Sequence, residues 1–245
     1  MPDSPSSRST GNLFLDNAPV AALKALRGSL VPVSLANAEV VSDVNQPIDS
    51  ILFPTGSVIS VVLQMSNGDT AEVGIIGREG MTGLAIALGQ SSTFQRSIVQ
   101  IPDGALTLAA REFRAVVESN AEFKAFTLRY AQAVLMASVQ LSACNSLHPI
   151  NERCARWLLM AHDRVNEDII PLTQEFLSQM LGVRRASVVV AASALQDAGF
   201  ISYTRGQIHI RNRPALESAS CECYATMERE WKRIMGYANR LSVHV

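Results

Sequence analysis

Residues 171–210 read PLTQEFLSQMLGVRRASVVVAASALQDAGFISYTRGQIHI, and the punctuation of this segment leaves few folds open. Thr173 can cap a helix, because its hydroxyl accepts backbone N–H groups left without partners in a first turn. Phe176, Leu177, Met180 and Leu181 then recur at helical spacing and give a short helix one apolar face. Gly182, able to take positive φ at little cost, ends it. A second periodic run, from Arg184 to about Ala198, sets Val188, Ala191, Ala192 and Leu195 on one side before Gly199 stops it. Residues 201–203 and 207–210 are short strands joined at Thr204-Arg205-Gly206, a tight hairpin.

Helix, glycine turn, helix and two-stranded wing make a winged helix-turn-helix pattern. Such a unit lays its second helix in the DNA major groove while the first crosses the phosphate backbone. Charge agrees with this. Between residues 182 and 214 stand Arg184, Arg185, Arg205, Arg211 and Arg213 against the single acid Asp197, a local charge of +4 in a chain whose formal net charge is −1. Double-stranded DNA is therefore the expected partner.

The whole chain has 245 residues and is 48% hydrophobic, enough for two domains with their own cores and unlike a disordered protein. No apolar run reaches the ~18–20 residues of a membrane span. The first residues, MPDSPSSRSTG, lack a basic-then-apolar signal and read as a disordered tail, so a cytoplasmic location without membrane contact is expected. Four cysteines, Cys144, Cys154, Cys221 and Cys223, are too few and too irregular for a secreted disulfide framework.

A short helix is expected at residues 17–26, with Leu23 and Leu26 inward. From about Leu30 to Leu108 the pattern changes to short strand-like runs, VPVSL, SILFP, SVISVVLQM, TAEVGII, SIVQIP and GALTL, with a hairpin signal at Asn67-Gly68. About eight such strands suggest a jelly-roll or barrel, so the fold class is α+β. The four histidines (His148, His162, His209 and His244) and all the cysteines lie outside this region. A histidine-rich metal centre inside the barrel is thereby excluded. With no nucleophile motif or Walker-type phosphate loop, no enzyme and no cofactor are expected; a barrel enzyme with a helical appendage is the remote alternative.

Residues 121–147 form a long helical stretch, continuous with 111–118. Phe123, Thr127, Tyr130, Val134, Ala137, Leu141 and Cys144 recur along it at alternating spacings of four and three, like a coiled-coil seam. The first six of these are the expected homodimer contacts. The same stripe could instead pack on the chain's own barrel, with Phe126, Leu128 and Leu135 adding apolar surface. His148-Pro149 ends the helix, and Asn151 is read as the cap of the next, in which Trp157 is core and Cys154 and His162 are structural. The expected divisions are a tail (1–12), a barrel sensor (13–115), a dimerisation helix (116–148), a winged helix-turn-helix domain (149–220) and a C-terminal helix (221–245).

This order of parts resembles the Crp/Fnr family of bacterial transcription regulators over about residues 13–224, most specifically at LTQEFLSQMLGVRRASV and HPINERCARWLLMAHDRV. FPTGSVISVVLQMSNGDTAEVGIIGREGMTGL resembles the cyclic-nucleotide-binding-like barrel of a subgroup. The resemblance implies a homodimer on a pseudo-palindromic operator, in some members contacting RNA polymerase. It also places Arg185 where the family reads a base, with Ser187 beside it. Arg185 can bond guanine O6/N7, and Ala186 or Val188 can meet a thymine methyl. Thr173, Gln174, Arg184 and the wing-tip Arg205 suit phosphate contacts. Cyclic-nucleotide-binding members carry Gly-Glu for the ribose and Arg-Ser/Thr for the phosphate. Here Gly83-Leu84 occupies the first place and Arg96-Ser97 is the candidate for the second, so cyclic AMP is not expected and the effector is unknown. Nor does the barrel hold the cysteines of iron–sulfur members or the haem ligands of others.

Residues 214–241 read as one helix. Cys221 and Cys223, two apart, would diverge on it by about 200°. They read as packing residues with no bound metal; a redox or metal switch beside the DNA-binding domain is the alternative.

Overall fold

The computed structural model describes residues 9–165 and 167–238. Two short helices, α1 (Leu13–Asp16) and α2 (Val20–Arg27), precede β1 (Val31–Ser34), β2 (Val40–Ser42), β3 (Ser50–Pro54), β4 (Val58–Gln64) and β5 (Thr70–Ile76). After α3 (Leu84–Ala87) come β6 (Arg96–Ile101) and β7 (Gly104–Ala109). Helices α4 (Ala110–Ser119), α5 (Ala121–Leu147) and α6 (Ile150–His162) lead to β8 (Ile169–Pro171). The last part holds α7 (Gln174–Leu181), α8 (Arg185–Asp197), β9 (Ile201–Thr204), β10 (Gln207–Ile210), α9 (Arg213–Ala219) and α10 (Cys223–Met235).

All six strand runs expected from alternation form, and β2 joins them. They build two antiparallel sheets, ordered β1-β7-β3 and β2-β6-β4-β5, in a jelly-roll-like α+β architecture. Leu52 and Ala105 of the first sheet meet Ile59 and Val99 of the second in a small buried core. The hairpin at Asn67-Gly68 closes β4 onto β5, with Gln64 opposite Thr70, Gly68 at φ +91° and Asn67 Oδ1 accepting the Asp69 N–H at 3.1 Å.

Ser9–Asn12, placed in the expected tail, belong to the fold, while residues 1–8 lie outside the described ones. Asn12 is fully buried: its Nδ2 donates to Pro54 O and Gly80 O, each at 2.9 Å, and its Oδ1 caps α1. That cap aims Phe14 into an aromatic cluster with Phe53, Phe123, Phe126 and Tyr130, the closest pair having centroids 4.8 Å apart.

The long helix begins later than its apolar pattern suggests. Asn120 leaves helical geometry at φ −124° and accepts the Phe123 N–H at 2.9 Å, separating α4 from α5. The expected dimer stripe faces inward. Phe123, Thr127, Tyr130 and Leu141 are buried within their own chain, and Val134 and Ala137 are half-buried. Tyr130 donates to Met81 O and accepts from Met81 N, both at 3.0 Å, and meets Trp231 of α10 edge-on. Packing against barrel and α10 claims the row expected to meet a partner. The outward row of α5 carries Leu128, Leu135, Val139 and Leu147, the last 78% exposed.

Two buried polar links join the barrel to α6 and the turn after it. Arg164 meets Glu79 at 2.8 Å, and Trp157 Nε1 donates to Glu72 Oε1 at 2.9 Å. The Ser60 hydroxyl lies 2.7 Å from Glu72 Oε2 and 2.8 Å from the Gln100 side-chain amide. Burial pushes the Glu72 carboxyl up to about 7. A carboxyl raised on folding stabilises below its ordinary range, and that contribution is lost as pH rises through about 7. The parent protein should therefore lose stability relative to Glu72→Gln between acid and neutral pH. Urea unfolding of both at two pH values checks this; equal slopes with pH would contradict it.

Candidate nucleic-acid interface

Helix α7 starts where Thr173 Oγ1 accepts the Phe176 N–H at 3.1 Å, and ends at Gly182, φ +61°. That left-handed residue turns the chain sharply into α8. One face of α8, formed by Val188, Ala191, Ala192 and Leu195, is buried, and Val188, Ala191 and Leu195 share a core with Leu158, Leu177 and Ile208. Val188 is 0% exposed, so it cannot reach a thymine methyl; it packs the turn. The open face instead carries Arg184, Arg185 and Ala186, with Ser187 half-buried, and then Val189 and Val190. Val190 is 71% exposed. Valines left in water on the outer face of this helix are a feature that periodicity alone could have singled out.

The wing is three-stranded, β8-β10-β9, because residues 169–171 pair with β10 as well. Its tip is a two-residue turn with Arg205 at φ +51° and Gly206 at φ +77°. Leu172 N donates to Gly206 O at 2.8 Å, which holds the wing tip beside the α7 cap. Tyr203, missed in the sequence, ties the parts together. Its hydroxyl donates to Leu172 O at 3.1 Å, contacts the Gln174 backbone and lies in the field of Arg185. Thr173, Gln174, Arg185 and Arg205 are thus gathered where α7, α8 and the wing meet. Arg213 is not part of this surface: Asp163, Glu217 and Tyr224 hold it within the fold, so one of the five arginines serves structure.

Left-handed φ is disfavoured for a residue with a Cβ by about 1–2 kcal/mol. Arg205→Gly should therefore leave the fold as stable or slightly more so, while weakening DNA binding equally for all sequences. Thermal melting and a gel shift separate the two effects; a selective loss for one sequence would contradict the phosphate role.

Residues 152–219 match the model of the Crp-like helix-turn-helix domain. Several solved structures share the fold over most of this chain. A protein described as a transcriptional regulator of the Crp/Fnr family, from Eubacterium rectale, aligns at 15% identity over 86% of this chain and 99% of its own, with a TM-score of 0.67. The chain has the Crp/Fnr fold, with a Crp-like helix-turn-helix domain. FixK2 from Bradyrhizobium japonicum aligns at 18% identity over 78% of this chain and 98% of its own, TM-score 0.61. The c-di-GMP responsive regulator CLP of Xanthomonas campestris aligns at 9% over 78% and 99%, TM-score 0.60. Among curated protein sequences none matches the chain.

Within this barrel the candidate phosphate pair is already engaged. Asp43 holds the Arg96 guanidinium through two bonds of 2.8 and 3.0 Å, a pairing that also holds the Asp43 carboxyl below its usual range, and Ser97 is buried. Gly83 takes φ +68° where a Cβ would lie 2.3 Å from Ile51 Cδ1, so backbone geometry explains this glycine without a ribose. A cavity of about 470 Å³ lies between barrel, α5 and α10, lined by residues such as Val61, Ile75, Leu84, Val134 and Met227. Arg164, held by Glu79, is the one cationic side chain among its described lining residues.

The C-terminal helix is not continuous. Helix α9 ends at Ser220, extended at ψ 157°, and α10 starts at Cys223, so Cys221 lies in the bend and the divergence expected on one helix does not apply. Cys221 comes 3.4 Å from Cys144, a contact that draws the Cys144 thiol down while the Cys221 thiol is pushed up. Cys154 is buried elsewhere on α6, where desolvation pushes it up to about 12.

Proposed function

We propose that the protein is a transcription regulator that binds DNA sequence-specifically, as a homodimer on a pseudo-palindromic operator. The observation that supports this reading is the convergence of the α7 cap, the start of α8 and the wing tip, where Arg185 and Arg205 are exposed. Arg185 reads guanine, and Ala186, Val189 and Val190 meet thymine methyls, with Ser187 at their margin. Gln174, Arg184, Arg205 and the backbone beside Thr173 position the domain on phosphates. The outward row of α5, with Leu128, Leu135 and Val139 at spacings of seven and four, is the surface for the second copy. The cavity suits a largely apolar effector rather than an anionic cyclic nucleotide, since its lining arginine is committed to Glu79 and the Glu228 carboxylate also lines it.

Arg185→Ala should cost ~1–3 kcal/mol on the operator and relax one base position per half-site. Arg184→Ala should weaken all sequences alike and flatten the salt dependence by about one unit. Titrations of both variants on operator and scrambled DNA at several salt concentrations test the assignment; uniform loss in both would overturn it.

A further inference from the structure

Four potential ligands converge where α5 ends. Cys144 and His148 stand one turn apart, His148 being the cap residue of α5. Cys221, in the bend between α9 and α10, and Cys223, which opens α10, come more than seventy residues later. Their Sγ atoms and the His148 ring all lie within 4.8 Å of one another. Cys144 and Cys221 are 3.4 Å apart, and Cys223 Sγ lies 3.5 Å from His148 Nδ1. A zinc ion with Zn–S of about 2.3 Å and Zn–N of about 2.0 Å sets its tetrahedral ligand atoms roughly 3.5–3.8 Å apart. These two spacings are close to the edges of that tetrahedron, and the remaining ones, all within 4.8 Å, require only small side-chain adjustments to close on one ion. They are too close for an iron–sulfur cluster, whose thiolates are spread around several irons.

We propose that Cys144, His148, Cys221 and Cys223 bind one zinc ion.

The surroundings are those of a metal site. His148 presents Nδ1 to the cysteines, and its Nε2 lies 3.1 Å from the Glu222 carboxylate, the second partner that fixes a ligating imidazole. Gln140 Nε2 donates to Cys223 Sγ at 3.0 Å, a bond that favours thiolate. Three thiolates, a neutral imidazole and Zn²⁺ carry one net negative charge. Arg153 and Arg156 on α6, buried and each with an Nε that has no hydrogen-bond partner among the described residues, lie in the field of Cys144 and offset that charge. On binding, each protonated thiol gives its proton to solvent, up to three in all, and no electrons move.

The site bridges the Pro149 boundary. It ties the end of α5, which packs on the barrel, to the segment leaving the helix-turn-helix domain, and so fixes the direction of that domain relative to α5. Helix α10 then runs back along α5 to Tyr130 and lines the barrel cavity through Met227 and Trp231. The ion would be a structural clamp on the path between cavity and DNA-binding face.

The full chain, purified under reducing conditions without chelator, should contain one zinc per chain by mass spectrometry. After chelator treatment, Co²⁺ should give a sulfur-to-cobalt charge-transfer band and the intense ligand-field bands of a tetrahedral ion, displaced by Zn²⁺. Cys223→Ser should lose these bands, Glu222→Gln should weaken binding about 10–100-fold, and Cys154→Ser should retain both. The proposal is overturned if the reduced parent protein gives no such bands or only those of octahedral cobalt. A Cys144–Cys221 disulfide in metal-free protein as isolated, or equal loss in Cys154→Ser and Cys223→Ser, would also overturn it. None of these readouts uses DNA, so their failure leaves the proposed function standing.

Discussion

Replacing Leu135 and Val139 together by glutamate should turn the dimer into a monomer and lower operator affinity by about 10²–10⁴-fold. Both side chains are more than 60% exposed on α5 and touch little of their own chain, so the substitution leaves the folded protomer intact. In the dimer each would meet its symmetry mate, where a pair of carboxylates has no counter-charge and loses water. The affinity loss follows because two linked half-site contacts become independent. Light scattering and gel shift on the same sample check both halves of the prediction. A dimer that persists would show that the outward row of α5 is not the interface.

Arg164→Ala should destabilise the protein by about 3–5 kcal/mol, because it strands the Glu79 carboxylate in the interior. The two side chains are only 3% and 2% exposed. Glu79 Oε2 already has no hydrogen-bond partner among the described residues, so the carboxylate depends on the guanidinium for compensation. The approach is tight: a Cβ on Gly77 would lie 2.6 Å from Arg164 Cγ. Arg164→Met with Glu79→Gln, which removes both charges and keeps much of the volume, should recover most of the loss. Urea midpoints at constant m-value measure it; a cost under about 1 kcal/mol for the single variant would mean that water or a neighbouring donor replaces the arginine.

The helix-turn-helix unit was readable because its signals are local. Thr173, Gly182, Gly199 and the Arg205-Gly206 turn each act within a few residues, and each stands where the pattern put it. The barrel strands were readable for the same reason, through alternation. What pairs with what across the chain was not. On α5, one row ending at Leu141 and another through Leu135 both have coiled-coil spacing, and only the position of the barrel and α10 decides which is left outside. Val188 illustrates the same ambiguity at single-residue scale, since it follows the contact residues in sequence but faces α6 in space. The cysteine cluster was hidden twice. The break at Ser220 removes the helical geometry that kept Cys221 and Cys223 apart, and Cys144 and His148 arrive from the far side of the helix-turn-helix domain.

Selection of DNA from a random pool by the full chain, followed by sequencing, tests the central claim most directly. The account predicts a two-fold symmetric motif whose half-sites are centred about one helical turn, 34–36 Å, apart, with a guanine contacted by Arg185 in each half. Absence of any enriched motif at low salt, from protein shown to be folded and dimeric, would contradict it.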